Sequence, residues 1–463
     1  MQSKTSIRAQ VGTLIFATSA IQLGIGFFNT FIALRVALEF DAAVAGLVLS
    51  SYFAGFTAGA YFCTRIIVRY GHIRGYAAFA GMVVAATALM PILVEPVPWL
   101  VSRTFIGFGC AGLFVTAESW LNAKAASSQR GRVFSIYMVG LFVALAFGQL
   151  LIGRVDLDAE TGFSIVVALF AAALVLVSTT RAEQPQSAVI AYLPLGKLSR
   201  AAPVAVAGVT LSGLIAAAFY ALIPIWMQDQ AMSGGTIGVF MLTAVLGGLA
   251  FQVPVGSLSD RIDRRTMLVI LGIGLAVASF GLLLLLPRSL RVVLPLAALF
   301  GGFMSSLYPI CIAHAHERMP ADQVVAVSGR LILANGLGSV IGPLVGMPLM
   351  ERFGIDGVFY LMAAAALLLA GFAARRRRIT ESPPHLDRTF TILTPQPTPQ
   401  AHDPAGATTH DPAGGTAHDP AGGTAHDPAD GAALDPAARD PAEGAEPPRE
   451  QARSSARSTA TRA

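Results

Sequence analysis

GTIGVFMLTAVLGGLAFQVPVGSLSDRIDRRTMLVILGIGLAVASFGLLLLL, Gly235 to Leu286, consists of two apolar runs joined by a short charged loop. Gly235 to Leu258 and Thr266 to Leu286 each approach the roughly 20 apolar residues a helix needs to cross a bilayer. All the charge between them falls on Asp260, Arg261, Asp263, Arg264 and Arg265. Two spans and a basic hairpin therefore form one unit, and the unit recurs outward in both directions. Towards the N-terminus the apolar runs are Val11 to Leu34, Ala42 to Thr64, Gly75 to Val94, Pro98 to Asn122, Val133 to Ile152, Gly162 to Thr180 and Pro203 to Trp226. Towards the C-terminus they are Val292 to Ala315, Val324 to Met350 and Gly357 to Ala374. The expected fold is an all-α membrane protein with twelve transmembrane helices in two pseudo-symmetric six-helix bundles. Residues 1–181 form the first bundle, 182–202 a central linker, 203–378 the second bundle and 379–463 a tail.

Composition agrees. Of 463 residues, 54% are hydrophobic and 13% charged, against about a quarter charged in soluble domains. The net charge of +5 does not point to nucleic acid, because the arginines sit in separate interhelical loops. Cys63, Cys110 and Cys311 lie in apolar runs at no metal-ligand spacing, so no disulfide framework, metal or cofactor is expected. The first run is longer than a signal-peptide core and further spans follow it, so it reads as an uncleaved helix.

Lys and Arg accumulate in cytoplasmic loops, and here they alternate. One side holds Lys4 and Arg8; Arg65, Arg69 and Arg74; Lys124, Arg130 and Arg132; Arg181, Lys197 and Arg200; Arg261, Arg264 and Arg265; Arg318; and Arg375 to Arg378. The other side holds Arg35, Arg154, Arg288, Arg291 and Arg352, several of them beside acids. Both termini are expected in the cytoplasm of a bacterium, with the chain spanning the inner membrane. The halves also echo each other: Glu118 precedes Arg132 by the spacing at which His316 precedes Arg330. Two such repeats imply a solute site at their interface, near mid-membrane, and alternating access by rocking.

GSLSDRIDRR, Gly256 to Arg265, resembles the signature loop of the major facilitator superfamily, with Asp263 at that pattern's second glycine. TRIIVRYGHIRG, Thr64 to Gly75, keeps Arg69, Gly71 and Arg74 but carries Val68 where the pattern has Asp. RTFIGFGCAG, Arg103 to Gly112, resembles the family's intramembrane arginine motif. Ala117 to Arg132 and Tyr308 to Val325 look like the YcaD-like branch. The resemblance implies the twelve-helix transporter fold, and Gly256, Asp260, Arg261, Arg264, Arg265, Arg69 and Gly71 as a gate loop whose signature Asp stabilises one gate conformation through the neighbouring half.

Charges inside a bilayer cost roughly 2.5 to 3.5 kcal/mol on insertion scales, so each needs a role. Arg103 is either an interior functional cation, partnered by Gln22 or Asn29 on the first span, or a residue whose stem snorkels outward. Glu118 is either a proton-coupling carboxylate or an interfacial one paired with Arg132 or Lys124. His314 and His316, two apart and so on opposed helix faces, are further coupling candidates or core and interfacial histidines. Gln22, Asn29, Gln149, Tyr220, Gln252, Tyr308 and Asn335 are polar groups able to meet solute, though an isolated amide also serves interhelical hydrogen bonding. Pro224, Pro309 and Pro343 mark either flexing helices or tolerated kinks. GFGCAG spells a dinucleotide fingerprint, but inside an apolar span it signals close helix packing, as do Gly55 and Gly59.

The tail repeats HDPAGGTA-like units with His402, His410, His418 and His426. With almost no large apolar residue it is expected to be disordered. The sequence thus reads as a monomeric, proton-coupled secondary transporter of a small organic solute, with export favoured over uptake, whose partners are lipid, solute and protons. A transporter-like sensor or scaffold working through the tail is the alternative. An enzyme is disfavoured, because no nucleophile, base and orienting group converge.

Overall fold

A computed structural model describes residues 4–125, 129–157, 160–179, 194–285, 290–320 and 323–379; side chains of residues 4–10 and of residue 325 are not included. The tail and most of the expected linker lie outside these residues.

The first half contains α1 (Lys4–Glu39), α2 (Ala42–Tyr70), α3 (His72–Leu89), α4 (Pro96–Lys124), α5 (Arg130–Gln149), which continues into a 3₁₀ turn (Leu150–Arg154), and α6 (Thr161–Ser178). After the short α7 (Leu195–Ala201) come α8 (Pro203–Asp229), α9 (Gly234–Ser259), α10 (Arg264–Leu285), α11 (Leu290–His316), α12 (Val324–Phe353) and α13 (Gly357–Ile379). Twelve of these, all but α7, are long and apolar enough to cross a membrane.

Local chemistry sets the boundaries. Asp41 caps α2 by accepting from the Val44 N–H at 2.9 Å, and Ser233 caps α9 through the Thr236 N–H. Pro96 and Pro203 open α4 and α8, where a missing N–H costs nothing. Gly71 and Gly354 adopt φ of 85° and 86°, so the turns from α2 to α3 and from α12 to α13 use a backbone region open to glycine. Several helices outrun the sequence expectation. Arg35 belongs to α1, pairing with Glu39 at 2.6 Å, and Arg375 to Arg378 extend α13. In the expected linker, α7 forms because Pro194 starts it and Leu198 is fully buried. α8, α11 and α12 run unbroken through Pro224, Pro309 and Pro343.

Pairing repeats between halves. α2 packs on α4, α1 on α5 and α6, and α3 on α4 and α6; in the same order α9 packs on α11, α8 on α12 and α13, and α10 on α11 and α13. Glycines permit the tightest crossings. A Cβ at Gly55 or Gly107 would strike the backbone of Thr104 or Tyr52, and one at Gly247 or Gly301 would strike Ala298 or Ala244. Large apolar side chains such as Phe16, Ile92, Leu284 and Leu368 face outward, as a lipid-exposed surface requires.

The bundles meet along α2 with α12, α5 and its 3₁₀ turn with α9, and α1 with α8. Close approach at the ends away from the basic loops is marked by Gly46 against Pro343 and Met347, Gly153 against Gly235, and Gly234 against Ile152. The interface is closed on that side.

Candidate functional site

Between the bundles lies a cavity of about 710 Å³, counting its open mouth. Gln22, Gly26 and Asn29 of α1, Phe53, Phe56 and Thr57 of α2, and Leu145 and Gln149 of α5 form one wall. Ala216, Ala217 and Tyr220 of α8 with Ile332, Asn335, Gly336 and Ser339 of α12 form the other. Phe142, Leu145 and Ala146 meet Val245, Leu242 and Leu249 across the interface as an apolar cluster that Tyr220 joins.

Of the expected polar groups, the fold brings Gln22, Asn29, Gln149, Tyr220 and Asn335 to this cavity. Gln252 and Tyr308 are buried on α9 and α11, away from its lining. The five differ in what they can offer. Gln149 is engaged at both ends, its Nε2 donating to Gly26 O at 2.8 Å and its Oε1 accepting from the Thr30 hydroxyl at 2.7 Å; it ties α5 to α1. Asn335 Nδ2 donates to Val209 O at 2.9 Å and Ser212 Oγ at 3.3 Å, which leaves Oδ1 as the acceptor end of this cavity-lining amide. The Gln22 Oε1 is buried with no hydrogen-bond partner.

Arg103 is 2% exposed, so it does not snorkel. Its Nη2 donates to Asn29 Oδ1 at 3.3 Å, and its guanidinium lies over Tyr52 at 4.6 Å and Phe28 at 5.5 Å, contacts that offset burial through the ring faces. Asn29, not Gln22, is its partner. The aromatic cradle of Phe28 and Tyr52 was not singled out in sequence; both look like ordinary core residues until α1, α2 and α4 pack.

Glu118 is 2% exposed on α4 and accepts from the Tyr137 hydroxyl at 3.3 Å. Arg132 is exposed. His314 is buried, while His316 Nε2 lies 3.0 Å from Ser328 Oγ on α12.

The gate loop is organised by Arg264. It pairs with Asp260 at 2.7 Å and Glu317 at 2.9 Å and donates to Ser259 Oγ, joining α9, α10 and α11. Arg265 donates to Arg376 O at 3.1 Å, adding α13. Asp263 accepts from the Arg265 backbone N–H at 3.1 Å, so it caps α10 where the signature pattern has glycine. Arg318, just beyond α11, is held below the usual arginine range by burial, with Arg265 repelling it. Asp260 thus pairs within its own half in this conformation. Arg261 is exposed, Gly256 is buried in the last turns of α9, and Arg69 lies over Tyr70 at 5.4 Å. No cluster of metal-ligating side chains occurs among the described residues.

The Major Facilitator Superfamily model matches residues 14–230 and 205–398. The chain belongs to this superfamily of membrane transporters. It is 29% identical over 367 residues to YcaD, an uncharacterized MFS-type transporter of Escherichia fergusonii, covering 78% of this chain and 94% of the relative. A second MFS-type transporter, from Enterobacter sp. (strain 638), is 30% identical over 349 residues, covering 74% and 90%. The crystal structure of the nucleoside transporter NupG superposes with a TM-score of 0.67 at 13% identity, covering 79% of this chain and 98% of that one. The protein is a multi-pass membrane protein of the YcaD-like branch.

Proposed function

We propose that this superfamily member is a proton-coupled secondary active carrier of a small organic solute, working as a monomer by alternating access in the bacterial inner membrane. The observation that carries the reading is the amide-lined cavity between the two bundles, closed on the side away from the arginines. With Lys and Arg in the cytoplasm, that closed side is periplasmic and both termini are cytoplasmic. Rocking the bundles about the cavity would exchange its access. Energy would come from a gradient, since the sequence has no Walker-type loop. Glu118 supplies the coupling candidate: within the spans it is the buried carboxylate among the described residues, and Tyr137 holds one of its oxygens. Export in exchange for protons is the direction favoured, because the polar cavity groups are neutral. Asp260 and Arg264 would serve as the gate when the cytoplasmic ends close.

The test is proton movement in proteoliposomes on adding pools of metabolites and toxic compounds, for wild type and Glu118→Gln. Solute-dependent proton flux, lost in the variant, is the expected result. Flux retained in the variant would remove Glu118 from coupling, and folded protein that moves protons with no pool would sink proton coupling itself.

A further inference from the structure

Asn29 and Asn335 face one cavity from opposite bundles, and each has one end of its amide fixed. A guanidinium has donors only, so the atom of Asn29 that meets Arg103 is Oδ1 and the remaining Nδ2 is a donor. A backbone carbonyl only accepts, so the atom of Asn335 that meets Val209 O is Nδ2 and the remaining Oδ1 is an acceptor. Neither amide can be reversed without setting like against like. At these two positions the cavity is therefore offered a donor from α1 and an acceptor from α12.

The α1 side is also the positive one. Arg103 stands behind Asn29, and among the described residues no carboxylate pairs with it. Its Nε and Nη1 are buried with no hydrogen-bond partner. A membrane-buried cation held by two ring faces and one amide leaves a positive field that water does not screen. Gln22, two turns before Asn29 on α1 and 3% exposed, adds a buried Oε1 with no partner, an acceptor on the same wall. Phe53, Phe56, Ile25 and Ile332 supply apolar surface between these groups.

We infer that the cavity selects an organic anion: a solute whose carboxylate docks at Asn29 Nδ2 under the field of Arg103, and whose hydroxyl or amine donor reaches Asn335 Oδ1. This rests on the carrier reading above and names its substrate class. Asn29 touches the solute. Arg103 is a positioning residue, fixing which end of the Asn29 amide is presented and supplying the charge that favours an anion.

The test uses the full chain purified in detergent and a series of hydroxycarboxylates from lactate to gluconate, each beside its own carboxamide, with affinity read by calorimetry. At least one carboxylate should bind about tenfold or more tightly than its carboxamide, a factor in keeping with one buried charge contact. In Asn29→Asp the new carboxylate pairs with Arg103 and faces the solute, so that ratio should fall to about one or invert. Arg103→Gln should lower the same ratio and Arg103→Lys restore part of it, a pattern that lost packing alone does not produce. If Arg103→Gln does not fold, Asn29→Asp still decides. Equal binding of acid and amide, an unchanged ratio in Asn29→Asp, or binding of no member each overturns the anion inference. The carrier reading stands or falls separately, on whether solute pools drive flux in proteoliposomes.

Discussion

The corner where α2, α3 and α4 meet and the corner where α9, α10 and α11 meet occupy equivalent places in the two repeats, yet different forces hold them. In the second, Asp260, Arg264 and Glu317 form an ion-paired cluster around a cation that is 3% exposed. In the first, the matching positions carry Val68, His72 and Ser119, and a neutral hydrogen bond, His72 Nε2 to Ser119 Oγ at 3.0 Å, stands in place of the ion pairs. Val68 is 60% exposed. The turn differs likewise: Gly71 takes a positive φ, whereas Asp263 caps the next helix with its carboxylate. Deeper in the bundles the repeats agree, with Gly55 and Gly107 matched by Gly247 and Gly301 at backbone-to-backbone crossings. Packing thus tolerates little divergence, while a loop end can exchange charge for a neutral hydrogen bond and keep the same geometry.

The sharpest way to break this comparison is Glu317→Ala. Arg264 would stay buried without its inward carboxylate, and removing one partner of a buried pair costs roughly 3 to 5 kcal/mol; retained contacts to Asp260 and Ser259 place the expectation near the lower end. Melting of the purified protein reads it, and an unchanged midpoint would show that the cluster is decorative. His72→Ala removes one neutral hydrogen bond and the edge contact with Trp120, whose ring centroid lies 6.3 Å away, for about 1 kcal/mol. The same melting experiment ranks the two, and a larger loss at His72 than at Glu317 would invert the comparison. Val68→Asp restores the acid without an arginine opposite it, so at an exposed site the change should stay within about 0.5 kcal/mol. Adding His72→Arg to that variant and measuring a stabilising coupling by double-mutant cycle would sharpen the case that the first corner lost a clamp.

Against this background Arg103 and Glu118 contrast in legibility. Both were visible in sequence as charges in an apolar run, because membrane insertion makes any such residue conspicuous. Their partners were not. Asn29 was one of two options for Arg103, and Tyr137, which nothing in the sequence singles out, is the donor to Glu118. Gln149 shows the reverse: its type and position suggested solute contact, and only the packing of α1 on α5 reveals that both amide ends are engaged. Gln252 and Tyr308 have the same kind of chemistry but are buried on α9 and α11, outside the cavity lining.

The sequence by itself determined that there are twelve spans, where they turn, and that two halves repeat. Those features follow from hydrocarbon thickness, loop charge and turn chemistry, which act on neighbouring residues. Tertiary structure alone decided which faces meet. The donor and acceptor ends of Asn29 and Asn335, the ring cradle of Arg103 and the clamp on Arg264 each join residues on separate helices. Hydropathy is uniform around a helix buried in a bundle and surrounded by lipid, so it carries no signal for the rotation that brings those groups together.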